Sequence, residues 1–328
     1  MIKRIFLLIS LLALTACSSS DSDDNQTPDD TPVEFSVSQS FQIDLSGKQQ
    51  VPMVNTTESA TATIELDETN MLMRATLDAS NVSGVTAAHV HAGAIGLNGD
   101  AAFSFSDDGN GSWSIAETEL TTDLIANLKA GDWYVNVHSS ANPDGAVRGQ
   151  IVNSTTAIVT FKLSGSQEVP AVESAAMGYG YASYDSATTD LELRVVTMNA
   201  EGVSGAHIHT GRIGFNGDVL VSLEQDSTNA NVWATPANTQ LEAATFEVLA
   251  SGGHYVNIHT AENASGEIRG QILTDNFALV TFDLDSNQQV PAVNSSASGS
   301  GYALVDTNDY SVEVAVVTNG VEGATGAH

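Results

Sequence analysis

The chain has 328 residues, 40 of them acidic and 10 basic, for a net charge of −30 at pH 7. That field repels a phosphate backbone and argues against nucleic acid as a partner, while it favours solubility and draws cations. The single cysteine, Cys17, excludes a disulfide framework and leaves the folded part without thiol chemistry.

At the N-terminus, Lys3 and Arg4 precede an apolar run from Ile5 to Leu14, followed by Leu14-Thr15-Ala16-Cys17. The run is too short to span a bilayer as a mature helix and reads as a signal peptide over residues 1–16. Small residues ahead of a cysteine resemble a bacterial lipobox, which implies lipidation of Cys17 and a membrane anchor. Ser18 in the next position, rather than an aspartate, resembles the sorting signal for the outer membrane. The expectation is a cell-envelope lipoprotein. Residues 17–38, rich in Ser, Asp, Thr and Pro, read as a disordered tether because they hold almost nothing to bury.

A first unit is expected over residues 39–153. It opens with Gln49-Gln50-Val51-Pro52, followed by two alternating segments, Ala62 to Asp67 and Leu72 to Leu77, around Glu68-Thr69-Asn70, a hairpin signature. Next come Ala88-His89-Val90-His91-Ala92-Gly93 and Ile95-Gly96-Leu97-Asn98-Gly99-Asp100. Thr122 to Lys129 has helical character and Gly131 is a plausible stop. The unit closes with Trp133-Tyr134-Val135-Asn136-Val137-His138 and Val147-Arg148-Gly149-Gln150-Ile151.

The same blocks recur in the same order over 157–275. They are Gln167-Glu168-Val169-Pro170, a hairpin around Ser186 to Thr189, Ala206-His207-Ile208-His209-Thr210-Gly211, and Ile213 to Asp218. A helical stretch from Leu241 to Leu249, His254-Tyr255-Val256-Asn257-Ile258-His259 and Ile268-Arg269-Gly270-Gln271-Ile272 complete the set. A third, truncated copy over 278–328 begins with Gln288-Gln289-Val290-Pro291 and stops at Gly326-Ala327-His328, where the first histidine of the motif belongs. Half a sandwich leaves strand edges unpaired, so the sequence is read as a piece of a longer array. A spacing of 118 and 121 residues is the size of one domain, not of a solenoid repeat. Many short strands, Gly-rich turns and one short helix per unit give an all-β expectation: tandem antiparallel Greek-key β-sandwich domains.

The histidines are the candidate chemistry. His89 and His91 lie two apart on a strand and share a face opposite Val90; His138 shares its face with Asn136 and Tyr134, opposite Val135 and Val137. With the valines inward, the three imidazoles face outward, and adjacent strands would bring them together as ligands for copper or zinc. His207, His209 and His259 repeat the pattern. The plainer alternative is a polar surface packed on Tyr134 and Asn136. His254 falls on the inward parity and reads as a packing residue. The Asn98-Gly99-Asp100 and Asn216-Gly217-Asp218 segments offer oxygens to Ca²⁺, but one carboxylate each is thin for that ion. They read as turns in which Asn and Gly accept positive φ. Arg148 and Arg269 are expected to pair with a carboxylate that fixes a loop, with substrate binding as the alternative. No nucleophile triad, phosphate loop or paired-carboxylate site stands out, and no catalytic residue is assigned.

The ordered set Gln-x-Val-Pro, His-x-His-x-Gly, Tyr-x-Asn-x-His and Arg-Gly-Gln-Ile resembles the CHRD domain, first described in chordin and found in bacterial secreted proteins. The resemblance implies an extracytoplasmic module that binds a protein or envelope component. A fainter one is to copper–zinc superoxide dismutase, whose His-x-His strand lies on the outer face of a Greek-key barrel. It implies copper-like ligands at His89, His91 and His138, with Arg148 guiding an anion, and the same roles for His207, His209, His259 and Arg269. No bridging histidine or zinc loop accompanies them. The function expected is therefore a binding module, then a copper- or zinc-binding one, then a superoxide dismutase-like enzyme.

Overall fold

The computed structural model describes residues 34–327, so the leader, Cys17, most of the tether and His328 lie outside the described residues. The first unit comprises β1 (Gln39–Ser46), β2 (Ser59–Asp67), β3 (Leu72–Asp78), β4 (Val85–Ala92), β5 (Ala101–Ser104), β6 (Ser106–Gly109) and β7 (Ser112–Glu119). Helix α1 (Thr122–Lys129), β8 (Trp133–Ser139) and β9 (Val147–Gln150) follow. The strands form one antiparallel sheet in the order β5-β4-β8-β9-β1-β2-β3-β7-β6. It folds over at the β9–β1 boundary, where Ser46 opposite Arg148 is the one paired position. The two halves thereby enclose a single core.

Alternation decides which residues enter that core. Phe41, Ile43 and Leu45 of β1, Ile64 and Leu66 of β2, Val90 of β4, and Val135 and Val137 of β8 are all buried in one cluster. At about 25 cal/mol per Å², such side chains contribute roughly 1.5–3 kcal/mol each and dominate the stability of a unit without disulfides. Helix α1 covers one end with Ile125 and Leu128. The Thr121 side chain accepts from the Leu124 N–H, capping its start, and Gly131 turns at φ 84° just beyond its end.

The second unit repeats this order with β10 (Thr156–Ser164), β11 (Met177–Asp185), β12 (Leu191–Met198), β13 (Val203–Thr210), β14 (Val219–Ser222), β15 (Glu224–Gln225) and β16 (Val232–Ala234). Helix α2 (Ala243–Ala250), β17 (Ser251–Thr260) and β18 (Ile268–Leu273) complete it. Helix α2 starts two residues later than the apolar pattern implies. Leu241 donates its N–H to the Thr189 carbonyl beside the Asp190–Gln240 bridge, so it is held as extended chain. The third unit contributes β19 (Phe277–Asp285), β20 (Ser298–Asp306) and β21 (Val312–Asn319), a three-stranded antiparallel sheet. In each unit the Val–Pro bond of the Gln-x-Val-Pro block is cis.

The first domain begins before residue 39. Phe35, assigned to the tether by composition, lies under the Arg74 guanidinium at 4.3 Å, and the Ser36 N–H donates to the buried Asp67 carboxylate at 2.8 Å. An aromatic ring and an N–H with a carboxylate partner outweigh the polar composition around them.

Candidate metal centre

Strand β4 supplies two histidines to the outer face because Ala88 and Val90 occupy the inward positions and are fully buried. Strand β8 lies beside it, with His89 opposite Asn136, His91 opposite Tyr134, and Ala87 opposite His138. That register sets His138 diagonal to His89. The ring centroids stand 5.0 Å apart for His89 and His138, 5.5 Å for His89 and His91, and 6.0 Å for His91 and His138. In the second unit the corresponding separations are 4.9, 5.6 and 6.0 Å among His207, His209 and His259. In both units one nitrogen from each ring lies within 4.8 Å of the others. Nitrogens bound at 2.0–2.1 Å to one tetrahedral ion stand about 3.4 Å apart, so closure by at most about 1.4 Å, within reach of small χ rotations, completes the set.

The far sides of the rings are already committed. His91 Nδ1 lies 2.9 Å from the Gly99 carbonyl oxygen, and His138 Nδ1 lies 2.8 Å from that of Pro143. The second unit matches, with His209 Nδ1 at 3.0 Å from Gly217 O and His259 Nδ1 at 3.1 Å from Ala264 O. A carbonyl only accepts, so each of these Nδ1 atoms carries a proton, and in the neutral tautomer that this selects Nε2 holds the lone pair. The Nε2 atoms of His91, His209 and His259 are buried without a partner, as are the Nδ1 atoms of His89 and His207. The donor set is thus one Nδ1 and two Nε2, converging. Burial, then repulsion from the neighbouring rings, holds His89 and His207 below the usual imidazole pKa. Burial does the same for His91 and His209. Neutral rings are the ligand form.

Tyr134 and Arg148 brace this face from beneath. The Tyr134 ring stacks on His91 at 4.9 Å with 8° between planes, and the Arg148 guanidinium lies 3.5 Å over the same tyrosine. Arg148 donates to the carbonyls of Leu97 (2.8 Å) and Ala94 (3.2 Å), to Asn98 Oδ1 (3.4 Å) and to Gln150 Oε1 (2.8 Å). Arg269 makes the same four contacts, to Phe215, Arg212, Asn216 and Gln271, and packs on Tyr255. Two sequence expectations change here. The arginine does fix a loop, but through backbone carbonyls, not a carboxylate. At 1% exposed, neither guanidinium reaches the surface to guide an anion. Desolvation lowers Arg148 to about 10, which leaves it charged at neutral pH.

The Asn-Gly-Asp segments also differ from expectation. Positive φ occurs at Gly96 and Gly214 instead, at 75° and 77°. Asn98 is held by its Nδ2 on the Val51 carbonyl, and a Cβ on Gly99 would run into the Ala92 carbonyl. Gly99 is needed for close approach, which delivers its carbonyl to His91. That carbonyl and those of Pro143, Gly217 and Ala264 were not read from the sequence. Only the recurrence of Gly99 as Gly217 pointed at two of them. His254 is buried, as its inward parity implies.

Beside the asparagine that precedes the third histidine, the two complete units carry different side chains. Gln50 Nε2 donates to Asn136 Oδ1 at 2.7 Å, and Asn136 Nδ2 stands 3.4 Å from His138 Nε2. The second unit has Glu168 against Asn257 at 3.3 Å, and Glu168 Oε1 and Asn257 Oδ1 are both buried without a partner. Burial, partly offset by Arg269, raises Glu168 to about 7.

No curated protein matches the chain. The CHRD domain matches three times, over residues 41–151, 159–272 and 280–328, and these spans coincide with the three units of the fold. The chain therefore belongs to the CHRD domain family, as a tandem array of β-rich modules.

Proposed function

We propose that the protein is a binding module of the cell envelope, anchored through a lipid on Cys17, in which each complete repeat binds one transition-metal ion through three histidines. His89, His91 and His138 hold one ion; His207, His209 and His259 hold the other. One observation carries the metal reading. Two converging imidazole nitrogens in the first repeat and three in the second are buried without a partner, His138 Nε2 facing the Asn136 amide, while in both repeats the opposite nitrogens of two rings donate to backbone carbonyls. That outer bonding fixes tautomer and ring orientation in the way ligating histidines require. Three neutral imidazoles with an open position suit Cu²⁺ or Zn²⁺, with Cu²⁺ the tighter, and the net charge of −30 compensates a cation on ligands that carry no charge. The open position is where a partner side chain or small ligand would join.

Metal analysis after incubation with Cu²⁺ or Zn²⁺ and desalting tests this. The expected result is two equivalents per chain, one after His207→Ala with His259→Ala, and none after His89→Ala and His138→Ala are added. Absence of retained metal in the unmutated chain, or full retention in the fourfold variant, overturns the reading. Fractionation of cells expressing the whole chain, with and without Cys17→Ala, tests the anchor: membrane association is expected only with the cysteine.

A further inference from the structure

The histidine loop of each complete repeat is pressed against the repeat that follows it. Ile95 is buried, and Gly96 lies so close to Tyr181 and Arg194 of the second unit that a Cβ there would stand 3.1 Å from both side chains. Arg194 donates to the Ile95 carbonyl at 2.9 Å, and the Tyr181 hydroxyl donates to the Gln50 carbonyl at 2.6 Å. The next junction repeats this arrangement. Ile213 is buried against Tyr302, Leu304 and Ala315, Gly214 lies on Tyr302 and Ala315, and the Tyr302 hydroxyl donates to the Glu168 carbonyl. Arg212 adds an ion pair to Glu313 at 2.8 Å. Both tyrosines occupy the same position in the sheet, opposite Arg194 and Ala315. The first unit has Thr63 opposite Thr76 there.

These contacts continue into the site in two directions. The carbonyl taken by Tyr181 belongs to Gln50, whose amide donates to Asn136, and Asn136 stands beside His138. The loop taken by Arg194 is the one whose carbonyls hold Arg148 and whose Gly99 carbonyl receives His91 Nδ1. We propose that the tyrosine-bearing face of strands β11–β12, and likewise of β20–β21, is a docking surface for the histidine loop of the preceding CHRD unit. Each metal site is thereby shaped by two repeats, with Tyr181 a positioning residue for the first site and Tyr302 for the second. The proposal rests on the metal reading above. Its physical basis is preorganisation: ligands whose supporting carbonyls are held from both sides need less ordering when the ion binds.

The experiment uses the whole chain and titrates Cu²⁺ into variants that leave one site intact. His207→Ala with His259→Ala reads the first site; His89→Ala with His138→Ala reads the second. Tyr181→Phe is expected to weaken the first site by about five- to a hundredfold and leave the second unchanged; Tyr302→Phe should do the reverse. The copper electron paramagnetic resonance spectrum of the affected site should shift as well. This crossed pattern separates positioning from a purely structural role, in which each tyrosine would weaken the site of its own repeat. Arg194→Ala, which keeps Tyr181, should also weaken the first site alone. Unchanged affinities in all three variants, or weakening confined to the repeat that carries the substitution, overturn the proposal. Failure of both unmutated sites to bind copper would instead overturn the metal reading.

Discussion

His91 gives its Nδ1 proton to the carbonyl oxygen of Gly99, 2.9 Å away, and so turns an unpartnered Nε2 toward His89 and His138. The contact joins a strand residue to a loop residue eight positions later, and it recurs between His209 and Gly217 at 3.0 Å. Ring orientation is therefore set by the path of a loop, which makes that loop a target for substitution.

Gly99→Ala should displace the loop, because its Cβ has no room against the Ala92 carbonyl. The expected result is a 10- to 100-fold loss of metal affinity at the first site, the usual cost of disturbing a ligand's outer hydrogen bond. The second site should be unaffected. Calorimetric titration of the two sites separately checks this; a first-site affinity unchanged from that of the unmutated chain would show that the Gly99 carbonyl does not orient His91.

His89→Ala should cost less than about 1 kcal/mol of apo stability, since its side chain lies on the outer face and its Nδ1 has no partner to lose. Metal at the first site should nonetheless disappear. Denaturant unfolding of the metal-free chain measures the first quantity, and a large destabilisation there would mean the ring is structural.

Arg148→Ala should be far more damaging, at about 3 kcal/mol or more. It strands the Ala94 and Leu97 carbonyls and the Gln150 amide oxygen and removes a cation stacked on Tyr134. Arg148→Lys should recover little, because one ammonium cannot span acceptors placed for a planar fork. Full rescue by lysine in thermal unfolding would show that charge alone matters.

Glu168 gives the protein a pH dependence opposite to that of an ion-paired carboxylate. Its pKa rises from the ordinary 4.5 to about 7 on folding, mainly through burial. The folded state holds the extra proton between those values, so stability is fully present below pH 4.5 and falls as pH rises to about 7. The change is on the order of 3 kcal/mol. Glu168→Gln should remove this slope and raise stability at pH 8. Denaturant midpoints at pH 5 and pH 8 for both chains measure it, and an unchanged slope in the variant would place the effect elsewhere.

The hairpins, the strands that carry the histidines, both helices and the parity of those histidines opposite the core valines were legible in the sequence because they follow local rules, while the edge strands β5 and β6 and the burial of His209 carry no such signal. Alternation puts Val90, Val135 and Val137 inside, and the intervening residues must then point out. Helix α2 departs from its pattern at Leu241, where a backbone partner from a distant turn prevails over the local apolar signal. Arg148 departs in its partners: the sequence shows a cation beside glycine, while carbonyls, which every residue carries, leave no mark in composition.

Repetition within the chain determined the units, the family resemblance and the set of histidines, because blocks that recur in order 118 to 121 residues apart carry their own internal control. Tertiary structure alone decided that β4 and β8 are neighbours in a register that converges three rings, that loop carbonyls choose their tautomers, and that Tyr181 and Tyr302 close each loop from the following repeat. Periodicity reports which face a side chain takes. Which distant backbone meets that face depends on how whole units pack, and no local pattern encodes it.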